Sequence, residues 1–290
     1  MEPDMELGRI GIWDAGLRDE DPRAAGEIRE AAAELEELGY GAIWLGASPG
    51  VRHARPLLAA TSRVVVATGI LSIWDYEAAE VAEEQAAVAA EYPGRFLLGL
   101  GASHGALAKD YSKPYSAMVG FLDRLDAAGS PKDGRVLAAL GPRMLALSRD
   151  RAAGAHPYLI TPEHTATARE ILGPDPLLAP EMKVVLQTDP ERARTTARGR
   201  LAGYLKLPNY TSNLRRYGFT DDDLRDGGSD RLVDALFAWG GMDAIRERIA
   251  AHREAGADHV VLQVTTDEQG SLPRSQWREL ADGLELRQHA

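Results

Sequence analysis

A proline standing two residues beyond an apolar run, with an arginine behind it, singles out Gly141-Pro142-Arg143-Met144 in this 290-residue chain. Residues 135–140 read as a strand, and a helix beginning at Pro142 would turn its first backbone N–H groups, which have no intrahelical acceptor, past the strand end. Such N–H groups and the helix dipole attract an anion, a phosphate above all. Arg143 would add a charge-assisted contact. The plainer alternative is a well-capped helix with its arginine in water. Thr161-Pro162-Glu163-His164 repeats the device one unit later. Glu163 disfavours an anion at that turn, which leaves Thr161 to the wall of a site.

His104 follows Gly99-Leu100-Gly101-Ala102-Ser103. An imidazole titrates near neutrality and suits proton transfer; the competing reading is a solvated loop histidine. Other chemistries lack their residues. No two carboxylates stand out at strand ends for a paired-acid hydrolase. His104, His156 and His164 have no carboxylate at ligand spacing, and a G-x-S-x-G elbow is missing. With no cysteine in the chain, thiolate catalysis, disulfides and Cys-based metal sites are excluded.

These residues sit at the ends of regularly alternating elements. Strands are expected at 9–13, 42–45, 64–69, 95–101, 135–140, 155–160, 183–187 and 259–264, several of them β-branched or continuously apolar. Helices are expected at 24–38, 77–91, 115–128, from Pro142, Pro162 and Pro190, around Ile245 and Ile249, and at 275–286. Gly141-Pro142, Thr161-Pro162 and Asp189-Pro190 each place a permitted N-cap before a proline at the first helical position. Residues 104–113 read as a loop. In 208–228 the periodicity dissolves, which reads as an insertion whose Arg215 and Arg216 face either an anion or water. Helical crossovers between strands imply parallel pairing, and eight strand–helix units imply an α/β fold, a closed (β/α)8 TIM barrel with an insertion before the last strand. A doubly wound sheet comes second, because no G-x-G-x-x-G follows the first strand. In a barrel, function gathers at strand C-termini. There Trp13, Trp44 and Trp74 either line a pocket or simply pack, and glycines let a flat ring or a phosphate approach the backbone.

A net charge of −11 argues against nucleic acid or an anionic membrane surface as partner. No apolar run would span a bilayer, and the N-terminal stretch has no secretion pattern, so a cytoplasmic location is expected. At 44% hydrophobic residues, 290 residues suffice for one barrel-sized core, and a single domain over 1–290 is expected.

The stretches ATGILSIW (67–74), GRFLLGLGASH (94–104), RVLAALGPRML (135–145) and GAHPYLITPEHT (154–165) resemble the luciferase-like monooxygenase superfamily. The likeness is to its flavin- or coenzyme F420-dependent oxidoreductases of actinobacterial type, and 207–224 and 255–264 extend it toward the C-terminus. The resemblance implies a TIM barrel holding a deazaflavin or flavin ring across the strand ends. It also implies a non-proline cis peptide at Gly69-Ile70. Gly69, Ile70, Ser103, Gly141, Pro142, Arg143, Met144 and Thr161 become the expected cofactor-binding residues, and His104 the expected catalytic one. Coenzyme F420 is the expected cofactor, with FMN as the alternative; the partner is a small-molecule substrate, and a homodimer is implied. Where sugar-phosphate-oxidising relatives carry an acid and a histidine, this chain reads Gly46-Ala47-Ser48, so that chemistry is not carried over. A non-catalytic flavin- or deazaflavin-binding protein is the competing class.

Overall fold

The computed structural model describes residues 5–18, 24–103, 113–268 and 270–288. Its strands are β1 (Ile10–Asp14), β2 (Ala42–Leu45), β3 (Val65–Thr68), β4 (Leu71–Ser72), β5 (Phe96–Gly101), β6 (Arg135–Leu137), β7 (Gly154–Ala155), β8 (Leu177–Leu178), β9 (Glu181–Val185), β10 (Phe237–Trp239) and β11 (Val260–Val264). All pairings are parallel, in the order β10-β9-β11-β1-β2-β3-β5-β6-β7-β8, with the short β4 added to the end of β5. The ring is completed because β8 and β9 form one extended run. On one edge, Ala179 N–H reaches the Ala155 carbonyl and Glu181 N–H the Pro157 carbonyl. On the other, Asp258 and Val261 donate to the carbonyls of Leu178 and Pro180. The chain is therefore an α/β TIM barrel, as its alternating pattern implies.

Side-chain alternation sorts the core into two layers. Ala42 and Trp44 of β2, Val65 and Ala67 of β3, Leu97, Val136, Ala179 and Val261 fill the barrel interior with Trp13. The intervening Ile43, Leu45, Val66 and Leu98 face the helices, where they meet Ile28, Leu35, Val81, Val88 and Phe121. Helices begin at Pro142, Pro162 and Pro190, as their prolines imply, but only Asp189 caps with its side chain, accepting from Arg192 N–H at 2.9 Å.

Several expected boundaries are corrected. β6 stops at Leu137 and β7 at Ala155, short of 140 and 160. Leu159 adopts φ +55° and breaks the extended backbone. The seventh strand begins at 177 rather than 183. Helix Arg55–Ala60 precedes β3 unforeseen. The insertion is ordered: helix Pro208–Arg216 buries Tyr210 and Leu214, and helix Asp230–Leu236 leads into β10 beside β9. Its apolar residues are too sparse among Asn, Arg and Asp to show a period, yet they meet Leu159, Ala193, Ala197 and Leu201 in a second core. Among the described residues, no helix is long and apolar enough to cross a membrane.

Candidate functional site

A cavity of about 710 Å³ opens at the C-terminal strand ends. Trp13 supplies part of its wall, and its indole N–H donates to the Gly69 carbonyl at 2.7 Å. The Gly69–Ile70 peptide is cis, as expected. Ile70 leans over β5, where a Cβ on Gly101 would stand 2.5 Å from its Cδ1. Glycine is required there so that the Ile70 side chain can lie on the strand. On the opposite side the cavity reaches Gly141 at the head of helix Pro142–Arg151.

Of the residues singled out in the sequence, Gly69, Ile70, Ser103, Gly141 and Met144 line this cavity. Pro142 and Arg143 do not: both are exposed in the first helical turn, and the Arg143 guanidinium lies 4.1 Å from the ring centroid of Tyr115. That stacking on the neighbouring helix Pro114–Ala127 holds Arg143 off the wall. Thr161 is also off the wall, buried at the head of helix Pro162–Leu172. His104 lies outside the described residues. The arginine that does approach the turn is Arg216, whose Nη1 stands 3.3 Å from where a Cβ on Gly141 would be. Among the described residues Arg216 has no ion-pair partner. The sequence leaves Arg216 facing either an anion or water, and nothing local in its helix shows that it returns to the strand ends.

Sequence reasoning also missed two carboxylates. Asp75, on the cavity wall, accepts the Ser48 hydroxyl at 2.9 Å. Asp14 ends β1 and borders an adjoining cavity of about 630 Å³, which shares Trp13, Ala15 and Arg200 with the first. Burial lifts Asp14 to about 6, against the opposing pull of the Gly16 N–H and the Arg200 charge. The signal was available, because a carboxylate at a barrel strand's C-terminus is a functional candidate by position.

The raised carboxyl has a measurable consequence. Between about pH 4 and pH 6 the native Asp14 holds a proton that the unfolded chain has released. Its contribution therefore lowers stability as pH climbs through that window. The difference in thermal stability between wild type and Asp14→Asn should grow in the variant's favour over the same interval. A difference independent of pH would mean that Asp14 ionises as a solvated carboxyl does.

Below the cavity the apolar barrel interior also holds two buried histidines. His259 donates from Nδ1 to the Gly8 carbonyl at 2.9 Å and accepts the Trp44 indole N–H at Nε2, 3.2 Å away. His156 donates from Nδ1 to the Ala179 carbonyl at 2.7 Å and stacks on Trp44. Burial lowers both imidazoles to about 4, so both are neutral near pH 7. His156 reaches the cavity wall, and its Nε2 has no hydrogen-bond partner among the described residues. Above it, Tyr158, Tyr204 and Tyr210 form a wall of three rings, with centroids 5.4–6.2 Å apart. Among the described residues no group of three metal-ligating side chains converges.

Residues 5–130 match the family model of the luciferase-like monooxygenases, which bears out the resemblance read in the sequence. That stretch carries β1 to β5 and hence Trp13, Gly69–Ile70 and Ser103. Solved structures extend the likeness of fold over the remainder. An F420-dependent secondary alcohol dehydrogenase, solved with an F420–acetone adduct, superposes with a TM-score of 0.74 at 13% identity, covering 96% of this chain and 98% of that one. The coenzyme F420-dependent tetrahydromethanopterin reductase of Methanopyrus kandleri gives 0.70 at 15% identity, with 97% and 99% covered. The oxygenating constituent of 3,6-diketocamphane monooxygenase from Pseudomonas putida, solved with FMN, gives 0.63 at 14% identity, with 96% of each chain covered. No curated protein matches the sequence.

Proposed function

We propose that this chain is a luciferase-like oxidoreductase that uses coenzyme F420 to move a hydride to or from a small organic substrate. The observation that carries the reading is the cavity at the strand ends, bounded by the cis Gly69–Ile70 peptide on one side and the Gly141 helix start on the other. The residues present fit such a group. At about 710 Å³ the cavity lies in the range of cofactor sites. Gly141 leaves the backbone open at the helix start, where Pro142 has no N–H, Met144 donates to the Gly141 carbonyl at 3.0 Å, and the Arg143 N–H is the first-turn donor left to meet a phosphate.

When bound, a deazaflavin would supply the hydride chemistry itself. The protein's part is to bind, orient and exclude water. Trp13 fixes the Gly69 carbonyl, Ile70 and Met144 present apolar surface, and the Gly141 turn with Arg216 offers the anion site. Asp14 and Asp75 are the carboxylates within reach of a substrate. F420 is the cofactor of two of the similar structures, the secondary alcohol dehydrogenase and the tetrahydromethanopterin reductase, and FMN is bound in a third. FMN is the second reading, because the matching family model is one of monooxygenases.

Fluorescence titration of the purified protein with F420 and with FMN tests this. Saturable binding of F420 at lower concentration than FMN is expected; preference for FMN supports the second reading, and binding of neither overturns both. In the same assay Arg216→Ala should weaken cofactor binding by about ten- to a hundredfold, the worth of one contact to an ionised group. Arg143→Ala should change it little, since that side chain is engaged with Tyr115. Equal losses in the two variants would mean that Arg143 leaves Tyr115 when the anion binds.

A further inference from the structure

We propose that the Tyr204 hydroxyl is an oxyanion-binding donor, charge-assisted through Tyr158 by the buried Lys183, and that the substrate is a carbonyl compound or its alcohol bound by its oxygen. This deepens the function proposed above and rests on it for the reaction, though not for the binding site itself.

The three N–H groups of Lys183 are all spoken for. They reach Glu181 Oε1 at 2.8 Å, Gln263 Oε1 at 2.5 Å and the Tyr158 hydroxyl at 2.8 Å. Lys183 and Glu181 side chains are both fully buried, and Glu181 Oε2 accepts the Leu159 N–H at 3.1 Å. The pair is thus locked beneath the cavity, the ammonium also lying 4.0 Å from the Tyr158 ring centroid. Because Tyr158 accepts from Lys183, its own proton has two acceptors to choose from: Gln263 Oε1 at 2.7 Å, or the Tyr204 hydroxyl at 2.6 Å. Gln263 Oε1 takes Lys183 on one lone pair and keeps a second, so it is an oxygen in the cavity accepting from Tyr204 that selects the other arrangement. When Tyr158 donates to Tyr204, the Tyr204 proton is released toward the cavity, and every bond in the chain from ammonium to phenol points the same way.

A run of donors aligned behind a cation polarises cumulatively, so its last hydroxyl is a stronger donor than an isolated phenol. Tyr158 and Tyr204 both line the cavity. A charged group that served only the fold would be buried with its counter-ion and stop there. This one extends through two hydroxyls to the cavity wall. The ligand that such an end recognises is an oxygen bearing or gaining negative charge, as a carbonyl oxygen does when its carbon receives a hydride. Aliphatic substrates without oxygen have nothing to offer it.

4-Nitrophenol is a suitable probe, because its phenolate is such an oxygen and has its own absorbance. The full-length protein is titrated with it, without cofactor, at a pH where the free probe is mostly protonated. The expected result is saturable binding in which the bound probe absorbs as phenolate. Tyr204→Phe, which keeps the ring, should weaken that binding roughly ten- to a hundredfold and return the bound spectrum to that of the phenol. Lys183→Met paired with Glu181→Gln, which keeps the interior neutral, should act in the same direction. No binding, binding without ionisation, or equal affinity in Tyr204→Phe would each overturn the proposal. Loss of F420 and FMN binding with phenolate binding intact would instead sink the cofactor reading and leave this donor standing.

Discussion

Lys183→Met should destabilise the protein by about 3–5 kcal/mol, because it leaves the Glu181 carboxylate alone in the barrel interior. Lys183 and Glu181 are both wholly shielded, and three acceptors converge on the one ammonium. Removing the cation takes one hydrogen bond each from Tyr158 and Gln263, which keep each other, and leaves the carboxylate without its counter-ion; a buried unpaired charge costs more than the net worth of the pair. Equilibrium denaturation in urea measures the loss. Adding Glu181→Gln to Lys183→Met should recover much of it, since a neutral amide still accepts from Leu159 N–H. A single variant within about 1 kcal/mol of wild type would remove the argument that the buried pair is needed for stability.

Gly99→Ala is the second large effect. A Cβ on Gly99 would stand 2.0 Å from the Thr68 carbonyl oxygen, a backbone atom that cannot swing aside. The Thr68 hydroxyl also exchanges two hydrogen bonds with Gly99, one to its carbonyl and one from its N–H, both at 2.8 Å. β3 and β5 would have to separate where they hold Gly69 and Gly101 in place. The expected cost is about 3 kcal/mol, the upper end for overpacking, with a parallel fall in cofactor affinity read by fluorescence titration. Gly26→Ala is the control. It lies in helix Ala25–Glu37 with open space at its Cβ, so it should be neutral or stabilising by up to about 1 kcal/mol. Equal denaturation midpoints for the two variants would remove the argument.

What the sequence could and could not disclose follows from how each feature is encoded. β2 was read at its observed bounds and helix Ala78–Glu91 within one residue of them, because their signals are local: an apolar run, a helical period, a proline–glycine stop. The same holds for the three proline-led helix starts. The strand-end glycines pointed to the cavity for an equally local reason, since only glycine tolerates so close an approach. The donor chain was invisible because Tyr158, Lys183, Tyr204 and Gln263 are brought together by barrel closure, from positions up to 105 residues apart in the case of Tyr158 and Gln263. The Tyr158 ring packs against Trp13 while the residue also lines the cavity, a double role that its apolar sequence neighbours do not reveal. Arg216 and Arg143 show the same limit. Adjacency in sequence favoured Arg143, whereas a long-range fold brought Arg216 to Gly141.

The pairing of β1 with β11 has a consequence for how the molecule is assembled. Ile10 lies opposite Val260, and Gly11 opposite Val261. During synthesis the open edge of β1, with its unpaired N–H and C=O groups, must wait until residues 260–262 have left the ribosome, about 250 residues later. Exposed parallel edges of this kind recruit other chains, and contacts so distant in sequence form slowly. Nascent chains halted before residue 260 should therefore be held by chaperones or aggregate, and yield of native protein should depend on temperature during expression more steeply than the stability of the finished barrel does.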